Sequence, residues 1–386
     1  MEKPTVVIIK SSPWKIAYLY RNHPEYSAIF DIIRLYESKI QFILIGTSKT
    51  PTSEVLLKNG VKAWDIKSTG GISSFVFHLD LLKFLFKYKP NLVIVLGLLN
   101  ILPVSFYSLL SRKSKYVPIF IGEIGYYGMR KINKCLMTLS LRLFGIFLRL
   151  SGARIFSAFS LSTYTRGCVE KLAPNLCGKI KLISYPISPI FNFNHHNGCS
   201  KRLKEPVILT VAGIEPRKGL DTLIKAVSFI PIKVKVIIKG SVRDSNYMDK
   251  LRVMAKDLKV EDRITFVTNV MDYDSLSAYY KTATLFVLPT REDCLGVAIL
   301  EALHSGLPVI ATSTGGIPDM IENNVNGILV RPDDPRELAN AILMILNSDA
   351  LRKKIIESIK NTLNNRYYKG RITLKDAMIQ TINCFI

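Results

Sequence analysis

At 386 residues the chain is too long for one ordinary hydrophobic core and about right for two domains. Nearly half of it, 48%, is apolar, which excludes a disordered chain and supplies material for two cores. The formal charge of +23 is unevenly spread: residues 1–192 hold 26 Lys and Arg against 9 Asp and Glu, whereas residues 193–386 hold 27 against 21. Between Lys83 and Val169, 13 basic residues face a single acid, Glu123. Such an imbalance selects partners rather than a fold: anionic lipid, nucleic acid or a phosphate-bearing substrate. The six cysteines contain no C-x-x-C pair, which speaks against a zinc site or a disulfide framework and for reduced thiols in a cytoplasmic protein.

In chain order, Thr5–Ile9 is a strand, too short for a signal-peptide core, and no small-residue cleavage site follows it. A helix is expected over Glu25–Glu37, a strand over Gln41–Gly46 and a helical stretch around Phe75–Phe86. Residues Asn91–Ser111 lack any charge over the length of a membrane span, but Asn91, Asn100 and Pro103 interrupt them. They divide better into a strand (Asn91–Leu96), a loop and a buried helix; Val117–Gly122 is the next strand. Lys131–Leu150 carries a polar stripe at Lys131, Lys134, Thr138, Arg142, Gly145 and Arg149 on an otherwise apolar helix. That pattern suits either a mostly buried helix with snorkelling cations or a helix lying on an anionic membrane. Residues 193–204, poor in apolar side chains, form the natural linker; its His195-His196 pair has no spaced third ligand and reads as solvated.

Beyond the linker, strands are expected at Val207–Val211, Val234–Ile238, Ile264–Val267, Leu285–Leu288 and Val309–Ala311. Helices alternate with them at Leu220–Ser228, Met248–Leu258, Leu276–Lys281, Gly296–Ser305 and Ile317–Glu322, and helices dominate from Pro335 onward. Continuous apolar strands separated by helices specify a parallel sheet covered on both faces, so the fold class is α/β with two Rossmann-like, doubly wound domains. Ligands of such sheets bind beyond the carboxyl ends of the strands. Neither G-x-G-x-x-G after the first strand nor a P-loop is present, which weighs against dehydrogenases and P-loop phosphotransferases.

Two segments carry chemistry. In Val211–Ala226, Gly213 permits a tight turn after a strand, and Lys218 beside Gly219 supplies a point charge suited to a diphosphate. In Leu288–Ala311 an acidic loop holding Glu292 and Asp293 precedes Gly296, which opens a helix with Glu301 about one and a half turns in. Carboxylates there can accept from sugar or ribose hydroxyls, while free N–H groups near Leu295–Val297 can face a phosphate or sugar.

The order K-G-L-D-x-L-I-x-A, L-P-T-x-x-D-x-L-G-x-x-I-L-E-A-L-x-S-G-x-P-V-I-A, G-G-I-P-D and N-G-I-L-V resembles the retaining glycosyltransferases of family 4, over roughly residues 205–345. The resemblance implies a GT-B fold: an N-terminal acceptor-binding domain (1–192), the linker (193–204), a C-terminal nucleotide-sugar domain (205–366) and a terminal helix (367–386) returning to the first domain. The two domains would face each other across a cleft. It implies that Lys218 neutralises the diphosphate and that Glu301, the second Glu of an E-x7-E motif, grips the ribose. Asp293 stands in the place of the first Glu, and Leu295, Gly296 and Val297 lie against the donor sugar. Three departures accompany it. Asp293 is one methylene shorter than Glu, with Glu292 beside it; Ile214 replaces an arginine, whose charge Arg217 is expected to supply; and the N-terminal domain lacks the family's Gly-Gly loop after its first strand and its histidine, near whose place Glu123 stands. The implied reaction transfers a sugar with retention from a nucleotide-diphosphate donor to a glycan or lipid-linked acceptor, with no cofactor or metal. A sugar-nucleotide epimerase of the same fold is the nearest alternative, and a non-catalytic membrane or nucleic-acid binder the next. The basic N-terminal domain is expected to dock on an anionic membrane surface; no helix-turn-helix, RNP strand or zinc finger supports a nucleic-acid partner.

Overall fold

The computed structural model describes residues 3–10, 24–48, 52–56, 61–67, 79–97, 100–111, 114–120, 142–191, 205–269 and 273–386. In chain order the elements of the N-terminal part are β1 (Thr5–Lys10), α1 (Pro24–Tyr36), β2 (Gln41–Ser48), β3 (Thr52–Leu56), β4 (Lys62–Lys67), α2 (Leu79–Tyr88) and β5 (Leu92–Leu96). They continue with α3 (Ile101–Leu110), β6 (Lys115–Phe120), helical residues 142–150, β7 (Ala158–Ser160), α4 (Thr163–Leu172) and β8 (Ile180–Ser184). There follow β9 (Val207–Val211), α5 (Leu220–Ser228), β10 (Lys235–Lys239), α6 (Ser245–Asp257), β11 (Ile264–Val267), α7 (Tyr273–Thr282) and β12 (Leu285–Leu288). The last are α8 (Val297–His304), β13 (Val309–Thr312), β14 (Ile328–Val330), α9 (Pro335–Asn347), α10 (Asp349–Thr362), β15 (Ile372–Thr373) and α11 (Leu374–Phe385).

These elements form two compact units, Met1–Pro186 with Gly370–Ile386, and Ile187–Lys369. The first holds a sheet in the order β15-β8-β7-β6-β5-β1-β2-β4-β3, parallel except for the edge strand β3, which runs antiparallel to β4. Every residue of β5 is buried, as a parallel sheet with helices on both faces requires. The C-terminal segment belongs to this unit: Ile372 pairs with Ile183, Lys375 of α11 bonds Asp31 of α1 at 2.8 Å, and the Tyr36 hydroxyl donates to Asn383 at 2.6 Å. The second unit begins before the expected linker, because Phe191 packs its ring against Tyr273 and Tyr280 of α7. Residues 193–204, His195 and His196 among them, lie outside the described residues.

Two expectations are corrected. The segment Ile317–Glu322 is not a helix but a single turn over Ile317–Asp319. Asn326 takes the place of helical partners there: its side chain accepts from Glu322 N–H at 2.8 Å and donates to the Met320 carbonyl at 2.9 Å. The expected polar stripe also breaks at Gly145, which is buried: a Cβ there would lie 2.6 Å from the Leu172 carbonyl oxygen, so α4 crosses the helix at this glycine. Phe144 and Leu148 enter the core, and the outward face is Arg142, Ile146, Arg149 and Leu150. The remainder of the stripe (Lys131, Lys134, Thr138) is outside the described residues. Among the described residues no helix is long and apolar enough to cross a membrane.

Candidate functional site

The second sheet runs β11-β10-β9-β12-β13-β14, with every pair parallel. The chain moves outward from β9 through β10 to β11, then returns to place β12 on the other flank of β9. The loops after β9 and β12 therefore leave their strands side by side at the point where the winding reverses, the position at which doubly wound sheets bind ligands.

The loop after β9 is pinned to its neighbour by Ala212 N–H to the Lys239 carbonyl and Ile214 N–H to the Ser241 carbonyl, both at 2.9 Å. It turns at Pro216–Lys218 and enters α5 through Gly219 at φ 64°. No other residue fits at Gly219: a Cβ would stand 2.0 Å from the carbonyl oxygen of Pro289, at the end of β12. The close approach brings Lys218 Nζ to 2.6 Å from Asp293 Oδ2, each side chain 12% exposed. The other Asp293 oxygen accepts from Gly296 N–H at 2.9 Å and Leu295 N–H at 3.3 Å, fixing the turn that leads into α8. The N–H groups of Leu295 and Gly296, expected to be free for a ligand, are thus given to Asp293 instead. Gly315, at φ 55°, lets the G-G-I-P-D loop close on this residue; a Cβ would fall 1.7 Å from the Asp293 carbonyl oxygen.

Arg291 fastens the two loops together, and sequence reasoning passed over it. Its guanidinium bonds both oxygens of Asp221 at 2.8 and 2.7 Å and reaches Asp333 through Nε at 2.6 Å, while its N–H donates to the Arg217 carbonyl at 2.8 Å. Burial opposes ionisation of Asp221, yet bonds from Arg291 and Tyr247 and the Arg291 charge hold its carboxyl below the usual range. The only sequence signal was Asp221 in K-G-L-D and Arg291 in P-T-R, each an acid or base beside a turn. Arg217, expected to supply diphosphate charge, is occupied within the loop: Nη2 meets Glu215 at 2.6 Å and Nη1 the Glu292 carbonyl at 3.1 Å. The Glu292 carbonyl also accepts from the Thr290 hydroxyl at 2.9 Å. Ile214 is fully buried.

Glu301 lies on α8, one turn beyond Val297, with its carboxyl buried. The Tyr280 hydroxyl of α7 donates to its Oε2 at 2.7 Å. Burial pushes the Glu301 carboxyl up to about 7, against the lowering effect of that bond, and pushes the Tyr280 phenol well above its ordinary value. The structure therefore joins Lys218, Asp293, Leu295 and Gly296 directly, and holds Glu301 on the following helix, α8, against α7. Gly213 sits just past β9, and Glu123 lies outside the described residues. Among the described residues no three His, Cys, Asp or Glu side chains gather as a metal site.

Comparison with known proteins finds glycosyltransferases on this part of the chain. Residues 193–362 match the model of the Glycosyl transferases group 1 family. An uncharacterized glycosyltransferase (MJ1607) of Methanocaldococcus jannaschii is 30% identical over 180 residues, 46% of this chain and 45% of that protein. A GDP-mannose-dependent alpha-(1-6)-phosphatidylinositol monomannoside mannosyltransferase of Mycobacterium tuberculosis is 32% identical over 150 residues, 37% and 39% of the two chains. The chain thus spans less than half the length of these curated relatives. Across 99% of this chain the fold is that of Anabaena Alr3699/HepE, solved with UDP and glucose, at a TM-score of 0.72 and 16% identity; that chain is covered completely. The whole chain has the GT-B fold of such enzymes, and its segment 193–362 matches the group 1 glycosyl transferases.

Proposed function

We propose that the chain is a retaining glycosyltransferase that moves a sugar from a nucleoside-diphosphate donor to a glycan or lipid-linked acceptor without a metal. One observation carries the reading: Lys218 and Asp293, from the loops after β9 and β12, meet at 2.6 Å where the sheet reverses its winding. As the glycosidic bond loosens, negative charge gathers on the departing diphosphate. Lys218 exchanges Asp293 for that charge and stabilises the developing anion more than it does the ground state. Asp293, released from the ion pair while still holding the Gly296 N–H, accepts hydroxyls of the donor sugar. Glu301, held on one oxygen by Tyr280, offers the other to the ribose. The relative that uses GDP-mannose and the fold neighbour solved with UDP support a nucleotide-linked donor as the substrate class.

A lipid-linked acceptor suits the basic first unit, in which Arg142 and Arg149 share an exposed helix face with Ile146 and Leu150. We infer that this face meets an anionic membrane surface. Salt-sensitive sedimentation with vesicles containing phosphatidylglycerol supports the inference, and equal recovery with neutral vesicles removes it. For the activity, the test is incubation with UDP- and GDP-sugars, with and without EDTA, followed by product analysis. Expected is release of nucleoside diphosphate with an α-linked product, unchanged by EDTA. Epimerised donor with no transfer would make the protein an epimerase, and loss of turnover in EDTA would refute the metal-free mechanism.

A further inference from the structure

The cations beside the two loops are nearly all committed. Lys218 is paired with Asp293, Arg217 with Glu215 and Arg291 with Asp221 and Asp333, while the buried Lys239 at the end of β10 gives its ammonium to the Asn269 carbonyl. Arg243 differs. It stands in the short connection between β10 and α6, whose backbone is tied to the β9 loop by Arg243 N–H to the Ile214 carbonyl at 3.1 Å. Its side chain is exposed and lies across Gly213: Nε and Cδ are 2.8 and 2.9 Å from the position a Cβ would occupy there. Among the described residues nothing accepts from its guanidinium. Gly213 has no positive φ to require glycine. What the missing side chain provides is room for an arginine over the carboxyl end of β9.

We propose that Arg243 is a donor-binding residue, placing its guanidinium on the diphosphate of the nucleotide sugar across Gly213. The inference rests on the reading of the site as a nucleotide-sugar site and deepens it. Lys218 carries a single charge, which Asp293 offsets, so on its own it leaves a dianionic group under-compensated. A planar guanidinium supplies the second, geometrically matched donor set. Gly213 then acts through Arg243: any side chain at 213 pushes the guanidinium aside.

The test is calorimetric titration of the full chain with UDP, GDP, uridine and guanosine. Arg243→Gln is expected to weaken binding of the preferred diphosphate about ten- to hundredfold, the cost of a charge-assisted bond, and to leave the matching nucleoside unchanged. Arg243→Lys recovers part of the loss. Gly213→Ala reproduces the loss in the wild-type background and adds nothing in the Arg243→Gln background, because both changes remove the same contact. Being exposed, Arg243 can be replaced without disturbing the core, and an unchanged melting temperature verifies this. Affinity for the diphosphate within twofold of wild type, equal loss for the nucleoside, or additive losses in the double variant would overturn the assignment of Arg243 alone. Failure of the wild-type chain to bind either UDP or GDP would overturn the site reading and this inference together.

Discussion

Glu301→Gln separates what the buried carboxyl costs from what it does. Burial raises the Glu301 carboxyl from 4.5 to about 7, so between these values the folded chain holds a proton that the unfolded chain has released. Stability therefore falls as pH rises from about 4.5 through 7 and is flat above. At about 1.4 kcal/mol per unit the shift corresponds to roughly 3 kcal/mol at pH 8, an upper bound for a single buried group. Glutamine is neutral throughout, and its amide can still meet the Tyr280 hydroxyl. Urea unfolding should find Glu301→Gln more stable than wild type by up to about 3 kcal/mol at pH 8, with the gap closing by pH 5. Among the described residues the ionisable group bonded to Glu301 is Tyr280, with Tyr273 of α7 acting in turn on Tyr280. On α8 itself, half-buried His304 has its pKa lowered by desolvation and is bonded to Leu300 and Tyr368. It loses stability as pH falls, but equally in both proteins, so it cancels from the difference. Nucleoside-diphosphate affinity should fall in the same variant, a trade of stability for function. A variant less stable than wild type at every pH, or a gap independent of pH, would refute the reasoning.

Arg291→Ala leaves Asp221 and Asp333 facing each other without their cation. It should destabilise the second unit by about 3–5 kcal/mol in urea titration, and Arg291→Lys should restore little, since one ammonium cannot make the fork-shaped pair. Gly219→Ala combines a left-handed backbone with a Cβ 2.0 Å from the Pro289 carbonyl oxygen. At least 2 kcal/mol of stability, roughly, and nearly all donor affinity should be lost as the loops part, measured by calorimetry beside thermal melting.

Much of this architecture was legible because the second unit's strands are uninterrupted apolar runs. Val207–Val211, Ile264–Val267 and Leu285–Leu288 begin and end where the pattern does, and so does α5 at Leu220–Ser228. The elements missed lack such a pattern. β3 reads TSEVL, with no apolar run, and β14 has only three residues after a glycine. In α4 only Thr165 and Val169 are buried, so its sequence shows hardly any apolar face. The expected helix at Ile317–Glu322 failed for the opposite reason: Ile317, Met320 and Ile321 are apolar because they are buried, while Asn326 rather than a continuing helix takes up the Met320 carbonyl and the Glu322 N–H. Lys218 and Asp293 were legible through motif resemblance. The Arg291 clamp and the Tyr280–Glu301 bond were not, because each joins residues tens of positions apart with no period to announce them.

The most direct test of the donor site is the affinity of Lys218→Ala for the nucleoside diphosphate that the wild-type chain prefers, UDP or GDP, measured by calorimetry at low salt. A loss of at least about tenfold, with the nucleoside alone bound as before, is predicted for a lysine that meets the phosphates. Affinity equal to wild type would mean that the Lys218–Asp293 pair serves only to hold two loops together.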